Sequence, residues 1–437
     1  MKKALSVLLS LSLMLTFMLP AFAAGGTDYT IINPYDCVDW DSFGTYKANL
    51  HTHSTASDGD VELSDMAELY YDAGYDILAF TDHGVINPGW TEERETHGIF
   101  NGFRKVTPMS AEQYERITSG SDRGGRGMLD ITGGIECNMA VVSKTHVNGF
   151  FTDWGSGEWG NENDYRTAVE QIEKSGGYSV LNHTGDWVNS NNFPERAHWD
   201  AYISYFANIF VDNPSCLGME IVNSSDNVSR SDRALWDELL QVTIPAGRNI
   251  WGFSNDDSEQ ANEVGRAFEL FILEENSVEN VKKAMEQGNF FAASKNYNPE
   301  KGQGEKFEGS GNVPLVSSIS VNQAENTISV ECDKARPADR IEWIANGRVI
   351  SNDFTIDLND YESELGCYVR FQLFSEGGVT YSQAFELEYE GRADKPIPDS
   401  VIPDNGAGEV FSTIYHTLAF ALMALIIEKL AGLFGII

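Results

Sequence analysis

The sequence predicts an α/β barrel followed by a small β-sandwich. Three observations predict it. Apolar strand-like runs alternate with segments of helical periodicity from residue 45 to 294, metal-ligand residue types stand at the ends of those runs, and from residue 313 the pattern changes to short β-rich stretches joined by glycine turns. In βα barrels the chemistry gathers at the C-terminal strand ends, so the second observation ties the first to function.

The chain begins Met1-Lys2-Lys3, runs without charge from Ala4 to about Pro20, and reaches Ala21-Phe22-Ala23. A charged start, an apolar stretch and a small-residue cleavage site read as a secretory signal over residues 1–23, of the short lysine-led kind that bacterial exported proteins carry. Residues 46–50 then form a strand that runs out into His51, His53 and Asp58. Strand side chains alternate, so the two histidines point to one face. Leu63, Met66, Ala67 and Tyr70 recur at helical spacing, Gly74 closes that helix, and residues 76–81 form a buried strand, which completes a parallel βαβ unit. Residues 87–128, rich in Gly, Glu and Arg, read as an irregular insertion over the site. The alternation resumes with a strand at 130–137, a helix at 164–175, strands at 178–182 and 218–223, a helix at 231–242 and a strand at 249–255. A strand at 267–273 feeds a helix with Ser277 as N-cap and Gly288 as C-cap. Six or seven such repeats over residues 45–294 predict a barrel.

Residues 313–390 read as a β-sandwich, with Asn346-Gly347 and Glu376-Gly377-Gly378 as hairpin turns. The sandwich contains no histidine and is expected to be an accessory to the barrel. Trp343, eleven positions after Cys332, suits an immunoglobulin-like core, but Cys367 lacks a tyrosine two residues before it, so the sandwich is expected without that identity. Residues 391–409, with Pro396, Pro398 and Pro403, form a linker. Beyond it, residues 411–427 carry no formal charge, Glu428 and Lys429 follow, and residues 430–437 are apolar; the tail at 411–437 is expected to anchor the protein to a membrane, and the alternative is a helix docked on the protein.

Lys and Arg number 30 against 66 Asp and Glu, a formal charge of −36. That balance argues against a nucleic-acid partner, which needs cations to neutralise phosphates, and it suits divalent metals and a small-molecule substrate. The sequence sets no oligomeric state. Export places the five cysteines where disulfides form; five is odd, and Cys332 with Cys367 is the expected pair, leaving Cys37, Cys137 and Cys216 as thiols.

A lone His-x-His such as His51 and His53 would also fit a pair of surface histidines. Four further clusters decide against that: Thr81-Asp82-His83, Glu136 with His146 ten residues on, Asn182-His183, and Ser254-Asn255-Asp256-Asp257-Ser258-Glu259. Imidazole with carboxylate suits zinc, iron(II) or manganese, and the shortage of nearby cysteine argues against a thiolate site. His97, His198 and His416 read as solvated or structural.

With these motifs the chain resembles the PHP family, named for polymerase and histidinol phosphatase. The resemblance covers residues 45–294 and rests on Leu50-His51-Thr52-His53, Ser57-Asp58-Gly59, Thr81-Asp82-His83, Gly134-Ile135-Glu136, His146, Asn182-His183 and the terminal acidic motif. Residues 284–294 and the sandwich tail look like the exported branch that includes carbaryl-hydrolase-like metallohydrolases. The resemblance implies a distorted seven-stranded βα barrel and a metal-dependent phosphoesterase holding two or three divalent ions (zinc, manganese or iron). It would place His51, His53, Glu136 and Asp257 on one metal, with Glu136 bridging to a second held by His146 and His183. Asp58 and His83 would contribute to a third. Family members usually complete that third site with a histidine two residues after the ligand aspartate, where this chain has Glu259. Asp257 is chosen over Asp256 on that spacing, and both stay open. Glu136 and Asp82 are the candidate catalytic residues, Asp82 alternatively orienting His83 or another ligand. The expected function is exported hydrolysis of a phosphate ester by a metal-activated water. The alternatives are an ester, amide or carbamate hydrolase, because the same activated water attacks a carbonyl, and an inactive surface protein that binds through its sandwich.

Overall fold

A computed structural model describes residues 27–95, 106–138, 144–158, 164–190, 192–227, 229–299 and 305–401. The expected signal peptide, the apolar tail, His97 and the end of the linker lie outside the described residues. Among the described residues no helix is long and apolar enough to cross a membrane.

The chain enters on a short strand, β1 (Thr30–Ile32), and then forms β2 (Gly44–Asn49), whose extension carries His51 and His53. Helix α1 (Leu63–Asp72) turns Leu63, Met66, Ala67 and Tyr70 inward, as the spacing predicts, and Gly74 beyond it takes a φ of 80° that favours glycine. Strands β3 (Ile77–Leu78) and β4 (Leu129–Asp130) add in parallel to β2. The insertion between them is not wholly irregular. It holds α2 (Ala111–Ser119), where Ser110 accepts the Gln113 N–H and Gly120 closes the last turn.

A second sheet runs in chain order through β5 (Ile135–Cys137), β6 (Val147–Phe150), β7 (Tyr178–Leu181), β8 (Cys216–Asn223) and β9 (Trp251–Asn255). Helices α3 (Arg166–Lys174), α4 (Thr184–Val188), α5 (Asp200–Asp212) and α6 (Arg230–Thr243) connect the later strands. The simple alternation predicts parallel pairing, but β6 is antiparallel to both β5 and β7. The connection from β5 to β6 is too short for a crossover, so the chain turns straight back. Two parallel bridges, Thr52 with Ser258 and His83 with Glu136, join the two sheets at their ends. Ala48, Leu50, Ile77, Val180, Phe253 and Phe271 pack between the sheets as one apolar cluster.

Strand β10 (Ala267–Leu273) lies antiparallel to β2 and to β11 (Phe290–Ser294). Between them α7 (Val278–Gln287) has the expected caps: Ser277 accepts from Asn280 N–H, and Gly288 takes a φ of 77°. After a small ribbon of β12 (Asn296–Tyr297) and β13 (Phe307–Glu308), one three-stranded sheet contains β14 (Val316–Asn322), β15 (Thr327–Cys332) and β18 (Thr355–Asp357). The facing strands are β16 (Arg340–Ala345), β17 (Arg348–Ser351), β19 (Tyr368–Ser375), β20 (Gly378–Tyr381) and β21 (Phe385–Glu388). Asn346 and Gly347, both at positive φ, make the β16–β17 turn. Strand β20 pairs with β11, so these strands continue the sheet of β10, β2, β3 and β4, and β1 pairs with β21 at the far edge.

The expected disulfide is absent: all five cysteines are free. Cys332 ends β15 in the three-stranded sheet, whereas Cys367 precedes β19 and its thiol faces the Leu240 carbonyl at 3.5 Å.

Candidate metal centre

Strands deliver the site. His51 and His53 follow β2, His83 lies beyond β3, Glu136 sits in β5, His183 follows β7 and Asp257 follows β9. His146 precedes β6, and because β6 is reversed it lies at the same end as the others. Glu136 is the hub. Its Oε2 is 3.2 Å from Nε2 of both His51 and His53 and 3.1 Å from His83 Nδ1; its Oε1 is 3.0 Å from His146 Nδ1 and 3.5 Å from His183 Nε2. Asp257 Oδ1 lies 3.0 Å from His51 Nε2 and 3.2 Å from His53 Nε2. Asp58 reaches His83 Nε2 at 3.3 Å and His53 Nδ1 at 3.4 Å. Ligand atoms thus converge in three overlapping groups: His51, His53, Glu136 and Asp257; His53, Asp58 and His83; and His83, Glu136 and His146. His183 and Asp257 hold φ values of 27° and 47°, a region that non-glycine residues occupy infrequently.

The donor atoms fit cations. His51 Nε2 and His83 Nδ1 are buried without a hydrogen-bond partner, although each faces carboxylate oxygen at close range. Buried polar atoms seldom stay unpartnered, and donors that converge without hydrogen-bond geometry are the arrangement a metal ion satisfies. Cys137, next to Glu136, is turned into the apolar core, where burial pushes its thiol up, so the donor set is imidazole and carboxylate.

The electrostatics point the same way. Burial would push His51 and His53 down, but Asp257 and the other carboxylates around them outweigh it and hold both well above the ordinary imidazole range. His183 reaches about 9 against its burial, through Glu136 and Asp257. Glu136 and Asp257, despite burial, are held well below the carboxylate range, with His51 the first of their histidine partners. A carboxylate field that keeps protons on buried imidazoles is one that metal cations would neutralise.

Glu220, on β8, escaped the sequence reading. Its Oε1 lies 2.8 Å from His51 Nδ1 and its Oε2 accepts the His183 N–H at 2.9 Å, so one fully buried carboxylate fixes an imidazole and a strained backbone together. Asn223 donates to both Glu220 and Asp257, and Asn182 donates to Glu136 Oε1 at 2.8 Å. The legible signal for Glu220 was a lone carboxylate inside an otherwise uncharged strand of eight residues.

Asp82, expected to be catalytic, is placed outside the ring. Its oxygens accept the Ser54 N–H at 2.7 Å, the Ser57 hydroxyl at 2.9 Å and Arg94 Nη1 at 2.7 Å, so it braces the loop that carries Asp58. Asp256 turns away and accepts the N–H groups of Gly265, Arg266 and Ala267, leaving Asp257 to face the histidines. Glu259 is exposed and belongs to none of the three ligand groups; partial burial and the charge of Asp58 raise its carboxyl. His198 pairs with Glu238 at 2.9 Å, a surface role.

No known protein family and no curated protein matches the chain by sequence. Solved structures similar to it include a two-domain protein containing a predicted PHP-like metal-dependent phosphoesterase from Bacteroides vulgatus, at 15% identity over 84% of this chain and 100% of that one, with a TM-score of 0.40. The lesion-specific endonuclease PfuEndoQ from Pyrococcus furiosus matches at 14% identity over 62% of each chain, with a TM-score of 0.34. PsfC from Pseudomonas syringae matches at 13% identity over 53% of this chain and 83% of that one, with a TM-score of 0.31. The cluster of His51, His53, Glu136 and Asp257 could hold a metal ion.

Proposed function

We propose that this chain is an exported, metal-dependent phosphoesterase of the PHP type acting on a small phosphate ester. The observation that carries the reading is the convergence of five histidines on the two oxygens of Glu136, with Asp257 and Asp58 completing the ring. His51, His53, Glu136 and Asp257 would hold one cation; Glu136 would share a second with His146 and His183; His83 and Asp58 would hold a third. Divalent cations there supply Lewis-acid polarisation of the ester and activation of the attacking water near neutral pH. The chain's own contribution is orientation. Glu220 fixes His51 from behind, Asn182 fixes Glu136, and Asp82 with Arg94 fixes the Asp58 loop. His51 is fully buried, whereas His83, His146 and Asp58 are 14%, 16% and 37% exposed, so substrate enters on their side.

The same reading takes β2, β3, β5, β6, β7, β8 and β9 as the seven strands of one distorted barrel, supported by the two bridges between the sheets. It also takes the tail at 411–437 as a membrane anchor, tested by whether the protein stays with membranes through a salt wash and is released when the chain ends at Asp404.

The central test is elemental analysis of the purified protein, followed by phosphomonoesters, phosphodiesters and carboxyl esters as substrates. Phosphate-ester turnover should vanish on chelation and return with zinc or manganese. Full turnover after exhaustive chelation overturns the reading, and turnover of carboxyl esters alone reassigns the reaction to the same centre.

A further inference from the structure

A second charged cavity lies toward the start of β2, away from His51. Its volume is about 420 Å³, and it sits where residues 311–313 lead from the barrel into the sandwich. Four cations line it: Lys47, Arg126, Lys295 and Arg336. Among the described residues the single carboxylate in its wall is Asp76, which is already taken: Arg126 holds it through Nε at 2.6 Å and Nη2 at 2.7 Å, and the Lys47 N–H donates to it at 2.9 Å. Lys47, Lys295 and Arg336 make no ion pair with any described residue. The ammonium of Lys47 has only a long contact of 3.4 Å to the Ala73 carbonyl and lies over the rings of Tyr75 and Phe268 at 3.8 and 4.4 Å.

In a chain of net charge −36, leaving three cations unpaired in one recess is an unusual use of scarce positive charge. The neighbouring cations disfavour the charge on Lys47. Burial, with Lys295 and Arg336 adding to it against Asp256 and Asp76, brings Lys47 down to about 8, and burial with the nearby Arg126 lowers Arg336 despite Asp333. An anion placed among them would relieve that repulsion, and an arginine fork beside two lysine point charges suits a tetrahedral oxyanion.

We infer that this cavity binds a small multivalent oxyanion, inorganic phosphate or a phosphate monoester, between Lys47, Lys295 and Arg336. The volume falls in the range of small-ligand sites, and the Phe268 and Leu270 walls leave room for an organic group. The three cations come from β2, from the residue after β11 and from the loop after β15, so the bound anion would tie the sandwich to the strand that carries His51 and His53. The inference stands independently of the metal centre.

The test is calorimetric titration of inorganic phosphate into the full chain after chelation, which removes cations of the ring as a competing site, with Lys295→Gln and Arg336→Gln measured beside the parent. Saturable binding is expected in the parent and about tenfold weaker binding in each variant, since each loses one charge-assisted contact. Circular dichroism and metal content of both variants should match the parent. Glycerol phosphate binding more tightly than inorganic phosphate supports an organic ligand seated on Phe268; equal affinities support free phosphate. Absence of saturable binding to the chelated parent, or binding that both substitutions leave unchanged, overturns the inference.

Discussion

Glu136 shows what a single side chain carries in this site. Each of its oxygens faces a different set of histidines, so replacing the charge removes a shared ligand rather than one contact. Supporting residues behind metal ligands typically cost about 10–100-fold in affinity or activity when changed. Glu136→Gln should therefore lose more than about 100-fold in turnover, together with the bound metal measured by elemental analysis, and a fully loaded Glu136→Gln protein counts against the bridge. Glu220→Gln is the milder counterpart. It keeps the shape but weakens the hold on His51, so metal affinity should fall about 10–100-fold with the fold intact, as read by competition with a chelating dye. The ring was legible because its members stand at strand ends. Glu220 stood out only as a lone carboxylate in β8, and its role was not legible, because only the folded packing of the strands brings it behind His51.

The same residues set a pH dependence for the metal-free protein. His51, His53 and His183 are raised in the folded state, so their contribution to stability is fully present below the ordinary imidazole value of about 6.5 and is lost as pH rises, for His183 through about 9. Glu136 and Asp257 are depressed, so theirs is present above about pH 4 and is lost on acidification. The chelated protein should therefore melt highest between these limits and lose stability toward pH 9 and above. Because metals need neutral imidazoles, the loaded protein should gain over the chelated one as pH rises from 6 to 9, and parallel melting curves across that range would contradict the assignment.

At the scale of elements, helix caps followed from local chemistry, but the expected strand at 130–137 splits into β4 (Leu129–Asp130) and β5 (Ile135–Cys137) in different sheets, and pairing direction did not follow either. The Ser277 and Gly288 caps could be read directly, whereas the reversal of β6 depends on the length of one connection. The segment after the expected signal also had no motif to announce it. It places Tyr35 in the core, stacked on Phe291 at a centroid distance of 4.7 Å, with its hydroxyl accepting the Gln383 N–H at 2.8 Å. Tyr35 is 1% exposed, so Tyr35→Ala should cost about 3–5 kcal/mol, measured by urea unfolding. A loss under about 1 kcal/mol would mean that this segment is not part of the cooperative core.

For the whole molecule, the pairing of β11 with β20 changes what the sandwich is. The sequence suggests an appended accessory, because its strands carry no ligand motif, yet the sheet under the metal centre runs through it without a break. Side chains cross the same junction. Arg370 of β19 forms a buried ion pair with Asp237 of α6 at 2.6 Å, and Gln383 exchanges hydrogen bonds with the backbone of Gly252 in β9. Ending the chain at Asn312 would leave Ala292, Ala293 and Ser294 as an unpaired edge and would remove Tyr368 and Arg370, which hold Asp237, together with the strands that cover this face of α6. The uncovered face of α6 carries Trp236 and Leu240, which pack against Tyr368 and Cys367 in the whole chain, and an exposed apolar edge invites association. The shortened chain is therefore expected to aggregate and to lose its metal, whereas a chain ending at Val401 should melt like the full one. Arg370→Met separates the two causes: it removes the ion pair but keeps the sheet, and should lower stability by about 3–5 kcal/mol without exposing β11. A soluble, metal-loaded and cooperatively melting chain ending at Asn312 would show instead that the sheets around the metal centre need neither the shared sheet nor the pair.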